Sequence, residues 1–423
     1  MIEIKTKSEY FEDESNRQNL ETENVYNLLI EIKKEIKSYK DKALFFFTEK
    51  FDQVKLADII VSEAEIEKAK KIVSKEFVDA ISVAKENITT FHQNQCPYDW
   101  EEDLENGISY GMQYSAIEKA GLYVPGGRAL YPSTVLMNAI PAKLAGVSEL
   151  IITTPPQKDG SIAPEILVAA DICDVDTIIK AGGAQAIFAL AYGTESVPKV
   201  DKIVGPGNMY VDQAKQMVYG LCDIDKPAGP SEVCVYIEDL KYAHFAAAEL
   251  LAQLEHDPDA SVVAVSTDKN VLKAIQQECV KQLKSLKRKD IILESAKNSS
   301  LIRVKSKTEA IDILNEIASE HLALIIDDAN TFREKIKHAG SIFCGPNTPV
   351  ALGDYIAGPN HVLPTGKAAR FSSPLSVMDF MKFSSHLTYG KENLETIKAH
   401  VKTLTTIEQL DAHFESINQR LKD

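Results

Sequence analysis

The chain of 423 residues has one tryptophan, six cysteines with no C-x-x-C pair, few basic residues relative to acidic ones, and no long apolar run. Each scarcity excludes something. Cys96, Cys173, Cys222, Cys234, Cys279 and Cys344 are scattered, mostly within apolar stretches, which predicts buried free thiols in a reducing compartment and removes thiolates from the candidate metal ligands. The longest aromatic run, Leu44-Phe-Phe-Phe-Thr48, is far short of the ~20 apolar residues that span a bilayer. The charged N-terminus carries no segment of signal-peptide type, so a soluble cytoplasmic protein without membrane association is expected. With 47 Lys and Arg against 62 Asp and Glu, the net charge of −15 argues against a surface that neutralises phosphates, and no nucleic-acid partner is expected. The Lys-rich stretches Lys33–Lys40 and Lys281–Lys289 have the pattern of solvated helix faces.

What is present is an ordinary globular composition, 44% apolar, in a chain long enough for at least two cores. Residues 1–22 are polar and irregular in pattern; Asn24 to about Lys40 and Glu63 to about Gln93 carry apolar residues at helical spacing. From Ser133 the pattern alternates: helix 134–145, strand 149–153, helix 164–172, strand 177–180, helix 184–192, strand 201–204, helix 209–219. A second alternating stretch predicts strands near 232–237, 261–266, 291–293, 322–326 and 341–344. Repeated βα units imply mostly parallel sheets. Gly-Pro punctuation at Tyr123-Val-Pro-Gly-Gly127 and Ala228-Gly-Pro-Ser231 brackets the first unit, as for one domain inserted into another.

Four polar signatures stand out in the last 170 residues. Gln253 and His256 lie three apart at the end of an apolar helix stopped by Pro258; capping of the last carbonyls is the plain alternative. Glu320-His321 precedes the apolar run 322–326 and pairs a carboxylate with an imidazole suited to proton transfer, or is a solvated turn. Asp354 and His361 bracket a Gly-Pro break that predicts a loop, for which ordinary turn chemistry is equally open. In the tail, Ile407, Leu410, Phe414, Ile417 and Leu421 form one stripe, Thr406 and Gln409 stand in capping-box register, and Glu408 and His413 fall on different sides of an ideal helix. Together these residues supply imidazoles, a carboxylate and an amide for a metal, and a separate acid–base pair, as in a metalloenzyme. Two glycine loops, 181–185 and 204–208, each follow a strand and open a helix, where α/β sheets bind ligands, but neither fits G-x-G-x-x-G.

The chain resembles the histidinol dehydrogenases, enzymes of the last steps of histidine biosynthesis. The likeness runs from about residue 25 through Gly121-Leu-Tyr-Val-Pro-Gly-Gly127, Gly182-Gly-Ala-Gln-Ala-Ile187, Ala191-Tyr-Gly-Thr-Glu-Ser-Val-Pro198, Val204-Gly-Pro-Gly-Asn208, Pro227-Ala-Gly-Pro-Ser-Glu232, Glu255-His-Asp-Pro-Asp259, Ser319-Glu-His-Leu322 and Gly358-Pro-Asn-His-Val-Leu-Pro364. It departs at Lys367, where a glycine is frequent. The resemblance implies one zinc per subunit on Gln253, His256, Asp354 and His413, with these four also touching substrate, and Glu320 and His321 as the proton-transfer pair. Ser231, His321, His361 and Glu408 are implied to contact substrate, and Tyr123, Gln185 and Asn208 to contact NAD. It further implies a homodimer with shared active sites, Glu408 and His413 reaching the partner's site. The expected fold is α/β: two Rossmann-like open α/β domains, one inserted in the other, with small helical terminal segments. The expected division is an N-terminal arm 1–22, a main domain of 23–122 plus 232–376, an inserted NAD domain 123–231 and a C-terminal helical tail 377–423. The implied reaction is the oxidation of L-histidinol to L-histidine through L-histidinal with two NAD reduced. A metal-dependent hydrolase using the same ligands, or a noncatalytic metal-stabilised binding protein, is the alternative from the residues alone.

Overall fold

The computed structural model describes all residues except 1, 18–21, 105–106, 127–129, 227–228 and 423, and no side chain from 13 to 24. Gly127 and Ala228, the inner punctuation of the two expected crossings, fall outside the described residues. In chain order the strands are β1 (Glu3–Lys5), β2 (Trp100–Leu104), β3 (Ile108–Ala116), β4 (Lys119–Tyr123), β5 (Glu149–Thr154), β6 (Thr177–Lys180), β7 (Lys202–Val204), β8 (Asp223–Ile224), β9 (Glu232–Ile237), β10 (Ser261–Ser266), β11 (Ser300–Arg303), β12 (His321–Ile325), β13 (Ser341–Cys344) and β14 (Met381–Tyr389). Two compact units result, residues 1–95 with 117–380, and residues 96–116 with 381–423. No helix among the described residues is long and apolar enough to cross a membrane.

The first unit holds two parallel sheets. One has the order β1-β11-β10-β9-β12-β13, the other β6-β5-β4-β7-β8. The strand order reverses beside β9 in the larger sheet and beside β4 in the smaller, as in doubly wound folds. In β9, Val233, Val235 and Ile237 face one apolar cluster and Cys234 and Tyr236 the other, which is the two-sided burial expected of a central parallel strand. The second unit is an antiparallel sheet, β14-β3-β2, with the helices Lys391–Ile407 and Asp411–Arg420.

Several sequence expectations are corrected. Residues 1–22 are not irregular throughout: Glu3–Lys5 pairs in parallel with Ser300–Arg303, and a helix spans Lys7–Arg17. The apolar triplet at 291–293 lies in the helix Lys289–Ser295, and the strand comes later, at Ser300–Arg303. Three apolar residues are too few to separate a period of 2 from one of 3.6. The N-terminal helices Thr22–Tyr39 and Asp41–Asp52 do not join the larger sheet. Leu29, Ile32, Ile36, Leu44 and Phe47 pack with Phe188 and Leu190 in the core of the five-stranded sheet. An amphipathic stripe declares a buried face without naming what covers it; each such Leu or Ile contributes roughly 1.5–3 kcal/mol. Residues 96–116, expected with the main domain, pair with the tail: β3 lies along the whole of β14. The tail helix breaks after Ile407, so Thr406 lies in the last turn of one helix, its hydroxyl donating to the Lys402 carbonyl at 2.6 Å, and no capping box forms with Gln409. Of the six cysteines four are buried, Cys344 is half-buried and Cys96 is exposed.

Candidate active site

The larger sheet builds its polar cluster at the amino ends of β9 and β12. Glu320 and His321, the last residue before β12 and its first, are only 6% and 5% exposed, so the pair is not a solvated turn. The backbone of Glu232, opening β9, clamps both. Its N–H donates to Glu320 Oε2 at 2.7 Å, and its carbonyl accepts from His321 Nδ1 at 3.0 Å. A carbonyl only accepts, so Nδ1 carries the proton and Nε2 is the face left for chemistry. His321 Nε2 is buried without a hydrogen-bond partner among the described residues, 3.5 Å from Asp354 Oδ1. Burial opposes the imidazolium, but the carboxylates of Glu320 and Asp354 outweigh it and hold the His321 pKa well above its ordinary value. Burial likewise opposes the Asp354 carboxylate, yet His321, His361 and His256 together hold its pKa down. Gly340 is required for this register: a Cβ there would stand 2.5 Å from the Glu320 carbonyl oxygen.

Two helices run down to the same end. Gln253 lies in the last turn of Ala243–Leu254, 4% exposed, with its Nε2 buried and unpartnered among the described residues. His256 follows one turn on, its N–H bonded to the Gln253 carbonyl at 3.2 Å, and is near enough to act on the Asp354 charge. Asp354 is not in a loop as the Gly-Pro break predicted; it lies on the short helix Val350–Tyr355, which ends before Gly358. Glu249, one turn before Gln253, accepts from the Val350 N–H at 3.1 Å. Burial raises the pKa of Glu249. The two helices are thus tied at Glu249 and Val350, one turn above Gln253 and Asp354. Sequence reasoning missed Glu249; its i, i+4 spacing to Gln253 was the available signal.

His361 donates from Nδ1 to the Asp354 carbonyl at 2.8 Å and accepts at Nε2 from the Thr134 hydroxyl at 3.1 Å. Burial lowers its pKa, so it is a neutral ring held between the two α/β layers of the first unit. Thr134, on the helix Pro132–Ala145 of the smaller sheet, was also missed. Ser231 precedes Glu232 at the same sheet end, and its carbonyl accepts from Ser261 N–H at 3.2 Å. Glu408 and His413 belong to the second unit, Glu408 as the residue ending Lys391–Ile407 and His413 within Asp411–Arg420.

The residues fit a borderline divalent metal in part. Gln253, His256 and Asp354 supply an amide oxygen, an imidazole and a carboxylate; the orphaned atom is Gln253 Nε2, a donor that a metal cannot satisfy, and only a flip of the amide plane would bring Oε1 into that place. Among the described residues, no cluster of three or more His, Cys, Asp and Glu side chains that could hold a metal is assembled.

The smaller sheet builds a cavity of about 880 Å³ at the carboxyl ends of β4, β5 and β7, lined by Tyr123, Gln185 and Asn208 among others. All three are the residues the resemblance assigned to NAD. Gly183 N–H donates to the Tyr123 hydroxyl at 3.1 Å, and burial pushes the Tyr123 pKa up to about 12, so the phenol stays neutral. Gly183 has φ +66°, and a Cβ there would stand 2.8 Å from Gln185 Oε1. Asn208 caps the helix Met209–Val218, its side-chain oxygen accepting from the N–H groups of Tyr210 and Val211 at 3.1 Å each, which leaves its amide donors for a ligand. Below the loop 204–208, Lys215 and Asp225 form a buried ion pair, and both bond Gly205. Helices beginning at Ala163, Gly183 and Asn208 therefore open onto a hollow that suits a phosphate-bearing dinucleotide.

The histidinol dehydrogenase family profile matches residues 15–421. The chain is 48% identical over 414 residues to histidinol dehydrogenase of Clostridium acetobutylicum, covering 98% of this chain and 96% of that protein. It is 46% identical over 408 residues to that of Methanocaldococcus jannaschii, covering 96% and 95%. The crystal structure of histidinol dehydrogenase from Elizabethkingia anophelis superposes with a TM-score of 0.94 at 38% identity, covering 100% of this chain and 98% of that one. With a family profile, relatives 46–48% identical and a solved structure all matched over nearly the full length, the chain belongs to the histidinol dehydrogenase family.

Proposed function

We propose that this protein oxidises L-histidinol to L-histidine through L-histidinal, using two NAD and one zinc per subunit. The observation that carries this is the Glu320-His321 pair, fixed by one backbone residue and facing Asp354 at the sheet end where Gln253 and His256 arrive. With the Asp354 charge offset by the metal, the His321 ring would be neutral, and its Nε2 would take the alcohol proton as the carbinol hydride leaves, giving aldehyde, NADH and a proton. Glu320, with Oε2 held by the Glu232 N–H, would use Oε1 to draw a proton from the water that adds to the aldehyde. Loss of a second hydride from the hydrated aldehyde then gives the carboxylate and a second NADH. NAD bound against Tyr123, Gln185 and Asn208 would accept each hydride. Zinc held by Gln253, His256, Asp354 and His413 would grip the substrate's imidazole and amine and offset the Asp354 charge, without redox chemistry of its own. Ser231, His361 and Glu408 would complete the substrate contacts; His361 would need to release Thr134 to offer Nε2.

Glu408 and His413 would serve the site of the partner subunit in a homodimer. The second unit leaves Phe383, Leu387, Leu404 and Ile407 exposed, apolar surface of the kind a partner covers. Histidinol-dependent NAD reduction, followed at the nicotinamide absorbance, tests the reaction; two NADH per histidinol consumed is expected, and a hydrolase or a binding protein would give none. Co-refolding equal amounts of His321→Asn and His413→Asn chains tests the sharing. About half the dimers should be mixed and about a quarter of wild-type activity should return. Mixed dimers without activity would place His413 in its own chain's site.

A further inference from the structure

Asp52 is a carboxylate in the wrong place for folding alone. It is the last residue of the helix Asp41–Asp52, where the helix dipole disfavours an anion, and Gln53 turns the chain away at φ 58°. Its Oδ2 is buried with no hydrogen-bond partner among the described residues. Burial pushes its pKa up to about 6, so near neutral pH it is mostly an under-solvated anion. It lines the 880 Å³ cavity together with Tyr123, whose phenol feels its charge.

The cavity has a direction. Leu130 leads into the helix Pro132–Ala145, whose Thr134 holds His361 of the reactive cluster, so the redox end of a dinucleotide belongs on that side. Leu28, Ile32, Phe51 and Asp52 come from N-terminal helices that contribute nothing to the cluster. That wall faces the adenosine half, with Phe51 as an apolar neighbour for the base. In doubly wound dinucleotide sites an acid following the second strand takes the ribose hydroxyls. Here the second strand, β5, runs out into Thr154-Pro-Pro-Gln-Lys-Asp159, but Asp159 accepts from the Ser161 N–H and hydroxyl at 3.0 and 2.6 Å and is not part of the cavity lining, so this strand offers the ribose no acid.

We propose that Asp52 supplies this missing carboxylate, accepting hydrogen bonds from the 2′ and 3′ hydroxyls of the adenosine ribose and so selecting NAD over a dinucleotide carrying a 2′-phosphate. This rests on the reading of the cavity as the NAD site. Lys158 also lines the cavity, and a dominant Lys158 would instead welcome the extra phosphate.

Calorimetric titration of the full-length protein with NAD, NAD lacking the adenosine 2′-hydroxyl, and NADP separates these cases. Wild type should bind NAD about 10–100-fold more tightly than either of the others, the size expected when a charge-assisted hydrogen bond is removed or two like charges are brought together. Asp52→Ala should bind all three with similar affinity. Asp52→Asn keeps the shape and removes the charge, and should bind NADP more tightly than wild type does; circular dichroism of both variants checks the fold. If Asp52→Ala keeps the wild-type preference for NAD over its deoxy analogue, or wild type binds NADP as tightly as NAD, the role of Asp52 is overturned while the cavity remains an NAD site. If wild type binds no dinucleotide, the cavity reading and the role of Asp52 fall together.

Discussion

The two parallel sheets share a strand order, β1 apart, and use opposite ends of it. The five-stranded sheet keeps its hollow at the carboxyl ends of the strands, where helices begin; the six-stranded sheet gathers Glu320, His321, Gln253 and Asp354 at the amino ends of β9 and β12, where helices finish. Helix starts present N–H groups and partial positive charge, which suits pyrophosphate; helix ends present carbonyls and partial negative charge, which suits a metal ion or an imidazolium. The proposed division of labour between dinucleotide and cation thus follows helix polarity. Thr134 bonding to His361 joins the two ends.

If the two regions work separately, His321→Asn should lower turnover about 10²–10⁴-fold and leave the NAD affinity measured by calorimetry unchanged. A parallel collapse of NAD binding would mean the regions are not separable. Gln253→Ala should weaken metal retention about 10–100-fold, an effect of the size seen when a metal site loses a supporting group. Metal content by plasma emission after dialysis against a chelator checks it, again with NAD binding intact; full metal retention would remove Gln253 from the ligand set. On the other side, Gly183→Ala must take a Cβ at positive φ against the Gln185 amide. A strain of about 1–2 kcal/mol would raise the NAD dissociation constant about tenfold while metal content stays at the wild-type level.

The smallest effect is on stability. The Asp52 carboxyl titrates near 3.9 unfolded and at about 6 in the fold. Ionisation therefore disfavours the folded state: there is no penalty below pH ~4, it grows as pH rises, and it is complete above about 6. Asp52→Asn should stabilise the ligand-free protein by about 1 kcal/mol at pH 7–8, partial contact with water reducing the effect. The gain should vanish near pH 4 in thermal melts followed by circular dichroism. A constant gain across that range would mean that burial does not hold the charge back.

Alternating apolar periodicities placed most βα units within a residue or two, including β5, β6, β9 and β13, because period and punctuation are local properties of the chain. The polar signatures at Gln253, His256, Glu320, His321 and Asp354 were legible as residue types suited to metal and proton chemistry. What converges was not. Glu232 meets Glu320 across 88 positions and Thr134 meets His361 across 227, and no local pattern encodes such pairs. Nor did the stripes of the N-terminal helices say which sheet they cover, and so the wall bearing Asp52 entered the cavity unannounced. Most of the elements, the family and the residue types suited to the chemistry can be read from the order of residues. Which ends of which strands those side chains share is settled only on folding, because strand order and helix polarity are set by contacts between residues far apart in the chain.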